Sequence, residues 1–141
     1  MPILSPASIK EVTRELTDGY TCFIHKRSAK ITVINLDSED AEEIAAQKEI
    51  QVGLEGKPER FLKIEPMPEK DLLVIMRDFL EEVADRGKRK QLSNALNRKK
   101  PVRNFMQEVE SDMELRQHWK NHGFEAYQDW VSEFVIDAYN F

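Results

Sequence analysis

The stretch DLLVIMRDFLEEV, residues 71–83, decides how this chain is read. Leu72, Ile75, Met76, Phe79, Leu80 and Val83 recur at i, i+3, i+4, i+7, i+8 and i+11, a spacing that lays one apolar stripe along a helix of about four turns. Just ahead of it, FLKIEP (61–66) has the character of a short strand. Pro66 and Pro68 end it, since proline cannot donate to a sheet ladder, and they mark the change from strand period to helix period.

Toward the N-terminus, YTCFIH and KITVINL are rich in β-branched and aromatic residues and flank a polar tip, which predicts two antiparallel strands at about 20–25 and 30–36. The tip, Lys26 to Ala29, lacks the glycine or Asn-Gly of the tightest hairpins. Ser8 with Glu11 predicts a capping box for a first helix from Ile9 to Leu16, and Asp18-Gly19 an end signal. Between the second and third strands, DSEDAEEIAAQKEI predicts an acidic surface helix capped by Ser38, with a thin apolar face.

Beyond Val83 the pattern stays helical. Leu92, Ala95 and Leu96 mark a short helix; Pro101 suits the first turn of another, carrying Val102, Phe105, Met106 and Val109. Met113, Leu115 and Trp119 predict a helix that stops at Asn121-His122-Gly123. A last helix then carries Tyr127, Trp130, Val131, Phe134, Val135 and Ala138. Strands first and helices afterwards imply an α+β fold, a small antiparallel sheet of about three strands packed against a C-terminal array of four or five helices. With neither repeat nor flexible spacer, the 141 residues are expected to form one domain, with a helix and sheet layer at 1–66 and a helical layer at 67–141.

The composition is 40% hydrophobic and 33% charged with a net charge of -5, the proportions of a well-ordered rather than a disordered chain. No apolar run approaches the roughly 20 residues that cross a bilayer, and the start MPILSPASIK lacks the charged and apolar regions of a secretion signal, so a cytoplasmic location is expected. The one cysteine, Cys22, rules out an intramolecular disulfide and is expected to be a buried, inert thiol in its strand.

The order of FLKIEPMPEKDLLVIMRDFLEEV, LSNAL, VRNF, a Trp and a terminal aromatic helix resembles the bacterial uncharacterised protein family 0158, chiefly over Phe61 to Trp130. The matching residues are Ile64 and Pro66, then Met76, Asp78, Phe79 and Leu80, then Leu92, Ala95 and Leu96, then Val102, Arg103 and Phe105, and Trp119. The chain departs from the resemblance in two turns. The family usually carries glycine after its "AL" segment and in its hairpin, whereas this chain has Asn97-Arg98-Lys99-Lys100-Pro101 and Lys26 to Ala29. The resemblance implies a fold and brings no activity or catalytic residue with it.

Function must therefore be sought in surfaces. RGKRKQLSNALNRKKPVRNF (86–105) holds eight Lys or Arg and no carboxylate. With the hairpin tip it makes the candidate binding surface: Lys26, Arg27, Lys30, Arg86, Lys88, Arg89, Lys90, Arg98, Lys99, Lys100 and Arg103. Such clustering suits a phosphate backbone. It also suits two blander roles, complementing helix C-termini or pairing with the acidic stretch from Asp37 to Glu43. Glu114, His118 and His122 fall one turn apart and suggest metal ligands, but the general-base glutamate of an HExxH helix is absent, and a helix end at Asn121 would turn His122 away. Strand alternation places Cys22 and His25 on opposite faces, which removes a nucleophile pair, and Glu81-Glu82 is expected to be solvated surface. No GxGxxG, P-loop or GxSxG string occurs.

With no cofactor indicated and no catalytic set assembled, the leading expectation is a non-enzymatic binding or regulatory module acting through contacts with an unknown protein. Seven of the twelve aromatic residues lie in the last 23 positions, and Tyr139 and Phe141 are candidates for contact with a second copy. The alternative is RNA or DNA binding through 86–103 and the hairpin tip, and a metal-dependent enzyme comes third.

Overall fold

A computed structural model describes residues 4–139, without the Tyr139 side chain. Its elements run α1 (Pro6–Thr17), β1 (Thr21–His25), β2 (Ile31–Ile34), α2 (Ala41–Glu55), β3 (Phe61–Ile64), α3 (Glu69–Leu80), α4 (Arg86–Leu96), α5 (Pro101–Glu110) and α6 (Met113–Tyr139). The fold is α+β, with the expected three-stranded antiparallel sheet. Two compact units share the chain, one running to Pro66 and resuming at Gln128, the other spanning Met67–Tyr127. No described helix is long and apolar enough to cross a membrane.

In the first unit β1 is the central strand, in the order β2-β1-β3. Cys22 pairs with Val33 on one side and Ile64 on the other. Cys22, Phe23 and Ile24 are all buried, so β1 is covered on both faces and loses the alternation of a half-exposed strand. The helix α1 starts one turn before the proposed capping box: Ser5 is the N-cap, accepting the Ser8 N–H, and Pro6 occupies the first turn. The fixed φ of proline prepares that turn, so the helix begins at its earliest favourable point. In α2 the cap is Asp40 rather than Ser38, and Ser38 accepts the Asp40 N–H just upstream. As its thin apolar face implied, α2 has no buried residue.

The hairpin tip turns without glycine. Ala29 adopts φ 62°, its N–H donates to the His25 carbonyl, and the His25 Nδ1 accepts the N–H groups of Ser28 and Arg27 at 3.0 and 3.3 Å. The only other non-glycine residue at positive φ among those described is Lys100, at 59°. These two positions lie in the turns where the family resemblance has glycine and this chain does not. Left-handed backbone costs a side-chain-bearing residue roughly 1–2 kcal/mol.

The second unit is built on Met76, Phe79, Val83, Leu92, Leu96, Phe105, Val109 and Leu115, with Leu72, Leu80, Val102 and Trp119 packed around them. Leu72, Met76, Phe79, Leu80 and Val83 of the expected stripe thus face the core, while Ile75 is half-buried outside this cluster; α3 ends at Leu80 and Val83 is buried in the turn beyond. Phe79 meets Phe105 and Trp119 edge to face, with centroids at 6.1 and 5.3 Å, the arrangement aromatic quadrupoles prefer. The buried Tyr127 accepts the Met67 N–H at 2.6 Å.

An expected helix end is overturned as well. The chain does not break at Asn121-His122-Gly123; α6 runs unbroken for 27 residues. Gly123 is there for space, because a Cβ would come within 3.0 Å of the Trp119 ring one turn earlier. In a solvated helix Gly123→Ala would gain about 1 kcal/mol of propensity; here it is expected to lower the urea midpoint by displacing Trp119, and a gain of the full propensity would show that the ring yields freely. Ala29→Gly and Lys100→Gly are each expected to raise stability by about 0.5–1 kcal/mol, relief of left-handed strain outweighing the extra freedom of the unfolded chain. An unchanged or lower midpoint in both would mean that these turns are unstrained.

Candidate functional site

The basic residues of the proposed surface separate by unit. Lys26, Arg27 and Lys30 lie on the hairpin of the first; Arg86, Lys88, Arg89, Lys90, Arg98, Lys99, Lys100 and Arg103 lie on α4, its following turn and the start of α5 in the second. Within the second unit their roles differ. Lys88 reaches Asp112 at 2.8 Å and Glu114 at 3.6 Å. Arg89 turns back and donates from Nε and Nη2 to the Val83 carbonyl at 2.9 and 2.7 Å, closing the turn between α3 and α4. Arg98 donates to the Asn94 carbonyl at 3.3 Å, the one base of the stretch that serves a helix C-terminus. Arg86, Lys90, Lys99, Lys100 and Arg103 are exposed and carry no ion pair among the described residues.

Apart from Arg98, none of these bases donates to a C-terminal carbonyl of a described helix. Neither α4 nor α5 has a base in its last turn or an acid in its first. Instead Arg86, Lys88, Arg89 and Lys90 occupy the first turns of α4, and Lys99, Lys100 and Arg103 surround the N-terminus of α5. A helix N-terminus carries about half a positive charge, so each added cation there is unfavourable. Asp85, the N-cap of α4, accepts the Lys88 N–H and gives partial relief; at α5 the cap position is Lys100 itself, without a side-chain cap. From Arg86 to Gln107 the sequence holds no carboxylate, so the α4 start, the turn and the α5 start form an electropositive face, with Asp85 at its edge as the cap of α4.

Folding α4 onto Leu92, Ala95 and Leu96 points the opposite ridge outward. That ridge carries Arg86, Lys90 and Asn94 at four-residue spacing, with Gln91, Asn97 and Arg98 beside them, all exposed. An open cleft is lined by Gln91, Asn94, Asn97, Arg98 and, from α5, Glu108. Asn104 is withdrawn from this surface, its amide donating to the Lys99 and Ala95 carbonyls at 2.7 and 3.4 Å to brace the turn.

The histidines take a course that spacing alone did not suggest. Because α6 is continuous, His118 and His122 share a face, and both address Glu82, at 3.4 Å from His118 Nε2 and 2.7 Å from His122 Nδ1. Both rings also lie against Phe79, with centroids at 4.8 and 5.4 Å. Glu114, the third residue of the suggested metal set, is instead exposed beside Lys88. Among the described residues no group of three or more His, Cys, Asp or Glu is arranged to hold a metal ion. Glu82 escaped sequence reading because its partners lie 36 and 40 positions away, and only the packing of α6 against the end of α3 joins them. Cys22 is fully buried; desolvation first, then Glu15 and Glu11, push its thiol up to about 12, so it stays protonated at neutral pH. His25 is held by the hairpin turn. Of the terminal aromatics, Trp119 and Tyr127 pack within the second unit, while the Tyr139 side chain and Phe141 lie outside the described residues.

The profile of the uncharacterised protein family UPF0158 matches residues 6–140. Among known proteins the chain is similar to the UPF0158 protein PA5073 of Pseudomonas aeruginosa, at 30% identity over 121 residues, covering 86% of this chain and 74% of that protein. No solved structure gave a significant match.

The Lys88–Asp112 pair supplies a test of the electrostatics. Lys88 and the Leu115 N–H hold the Asp112 carboxyl below its ordinary range, and hydrogen bonding to Asp112 raises the Lys88 ammonium. A lowered carboxylate contributes stability above its unfolded value of 3.8 and loses it as pH falls through the folded one. A raised ammonium contributes below 10.5 and loses it above the folded value. Asp112→Asn, which keeps a capping side chain, is expected to be less stable than the parent at pH 7 and equal to it once the pH is below the carboxylate range. Urea midpoints across pH will show this; a gap independent of pH would deny the charge any part.

Proposed function

The chain belongs to the uncharacterised protein family UPF0158, and since that membership brings no activity, we propose from the surface itself that the protein is a non-enzymatic binding module docking nucleic acid on its α4–α5 face. One observation carries this reading: exposed, unpaired cations crowd the positive ends of two helices, where they repel the dipole and one another. Each such placement costs about 0.3–1 kcal/mol at low ionic strength, and a phosphate seated there turns repulsion into attraction. The four-residue turn 97–100 between the two helices supports it, because helices joined this way present one continuous surface. Lys99 and Lys100 stand at the apex, and the left-handed backbone of Lys100 belongs to that apex.

A second reading keeps the same face and changes the occupant to an acidic protein surface. The overall charge of -5 favours it, as does the lack of an exposed aromatic side chain among the bases for stacking on unpaired ones.

Fluorescence anisotropy with labelled duplex and single-stranded oligonucleotides tests the proposal. Affinity is expected to fall steeply with salt. The triple change Arg98→Ala, Lys99→Ala, Lys100→Ala is expected to weaken it by about tenfold or more and to flatten the salt slope by roughly 0.9 for each phosphate no longer neutralised. Absence of binding at low salt would end the nucleic-acid reading, and capture of poly-glutamate by the same three residues would put the acidic protein in its place.

A further inference from the structure

The face proposed above has two chemically distinct parts, and they do different work. Phosphate neutralisation needs only cations, yet the outward ridge of α4 and the turn after it alternate them with carboxamides: Lys90, Gln91 and Asn94 on the helix, Asn97 and Arg98 just past its end, all exposed. The side-chain amides of Gln91, Asn94 and Asn97 hydrogen-bond no other described residue, so their donors and acceptors are free. Glu108 is the sole carboxylate lining the cleft beside them. Farther along α5 the surface becomes acidic, with Glu108 and Glu110 replacing the bases of its first turn. The two helices are therefore not equivalent toward a polyanion, and α4 is the one that can enter it.

We infer that α4 is a recognition helix that enters the major groove of duplex DNA, with Gln91, Asn94 and, from the turn that follows, Arg98 reading base edges while Arg86, Lys99, Lys100 and Arg103 hold phosphates. This rests on the nucleic-acid reading of the same face. The chemistry matches part by part: Asn and Gln pair with the N6 and N7 edge of adenine, Arg with the O6 and N7 edge of guanine. The 11 residues of α4 make a rod of about 16 Å, and the major groove of B-DNA, about 12 Å wide, admits a helix whereas the deep, narrow groove of duplex RNA does not. The turn bases at Lys99 and Lys100 lie just past the C-terminal end of α4 and Arg86 at its start, so backbone contacts bracket the reading residues.

Selection from a randomised DNA duplex with the full chain, followed by affinity measurement on the selected and scrambled sequences, is the test. A short consensus is expected, and Gln91→Ala and Asn94→Ala are each expected to cut the preference for it by about tenfold while the salt slope and the helical circular dichroism stay unchanged. The same sequence as duplex RNA is expected to bind no better than scrambled DNA. A selection without consensus, or a preference untouched by both substitutions, overturns the inference. If salt-dependent binding persists in that case, the docking role stands and only base reading falls; if no duplex is bound at any salt, base reading falls, and the docking role falls with it when single strands are also unbound.

Discussion

Phe79 is the side chain on which the helical unit turns. It emerges near the C-terminal end of the α3 stripe, is wholly buried, and receives Phe105 from α5 and Trp119 from α6 against its edges and face. Edge-to-face rings of this kind add about 0.5–1.5 kcal/mol per pair to the area they bury, and they fix direction as well as distance. The direction matters here: with Trp119 seated, a Cβ at Gly123 would press on its ring at 3.0 Å, and His118 and His122 are carried against Phe79 at the end of α3. Glu82, one turn beyond Phe79, then meets both. A core contact thereby arranges a polar cluster that none of its members specifies alone.

The same core decides which cations are free. Leu92 and Leu96 are buried, and this orients α4 so that Lys88 falls against Asp112 and Glu114 while Lys90 and Asn94 face outward. Arg89 is drawn to the Val83 carbonyl by a different need, a loop carbonyl between α3 and α4 that it satisfies from two donors. What remains exposed is therefore a residue of the fold: the bases that neither a carboxylate nor a helix end has claimed. Their gathering at helix N-termini makes the local potential more positive than a net charge of -5 suggests.

Two turns carry backbone strain in place of glycine. Ala29 and Lys100 both adopt left-handed φ, and each is held by surrounding hydrogen bonds, the first through its own N–H to the His25 carbonyl and the His25 ring, the second through Asn104, whose amide gathers the carbonyls of Ala95 in α4 and Lys99 in the turn. Both also sit among basic residues. The departures from the family resemblance are thus places where a side-chain-bearing residue has been kept at conformational expense, and at Lys100 that residue adds a cation to the proposed face.

Much of the layout was written in the sequence by itself. The stripe of residues 72–83, the paired strands around the hairpin, the surface character of α2, the burial of Cys22 and the faces of α4 and α5 all follow from period and local chemistry, because side-chain direction repeats with a geometry the backbone imposes. The helix starts were displaced only where a competing cap, Ser5 with Pro6 or Asp40, lay within a turn. Tertiary structure alone decided the meaning of Gly123, which reads locally as a stop and serves as clearance for Trp119. It alone joined Glu82 to two histidines, and it alone sorted eight neighbouring bases into Lys88 with a carboxylate, Arg89 and Arg98 on carbonyls, and five left to solvent. A one-dimensional pattern records which face a residue takes, but partners brought together by packing are separated by arbitrary lengths of chain and leave no spacing to read.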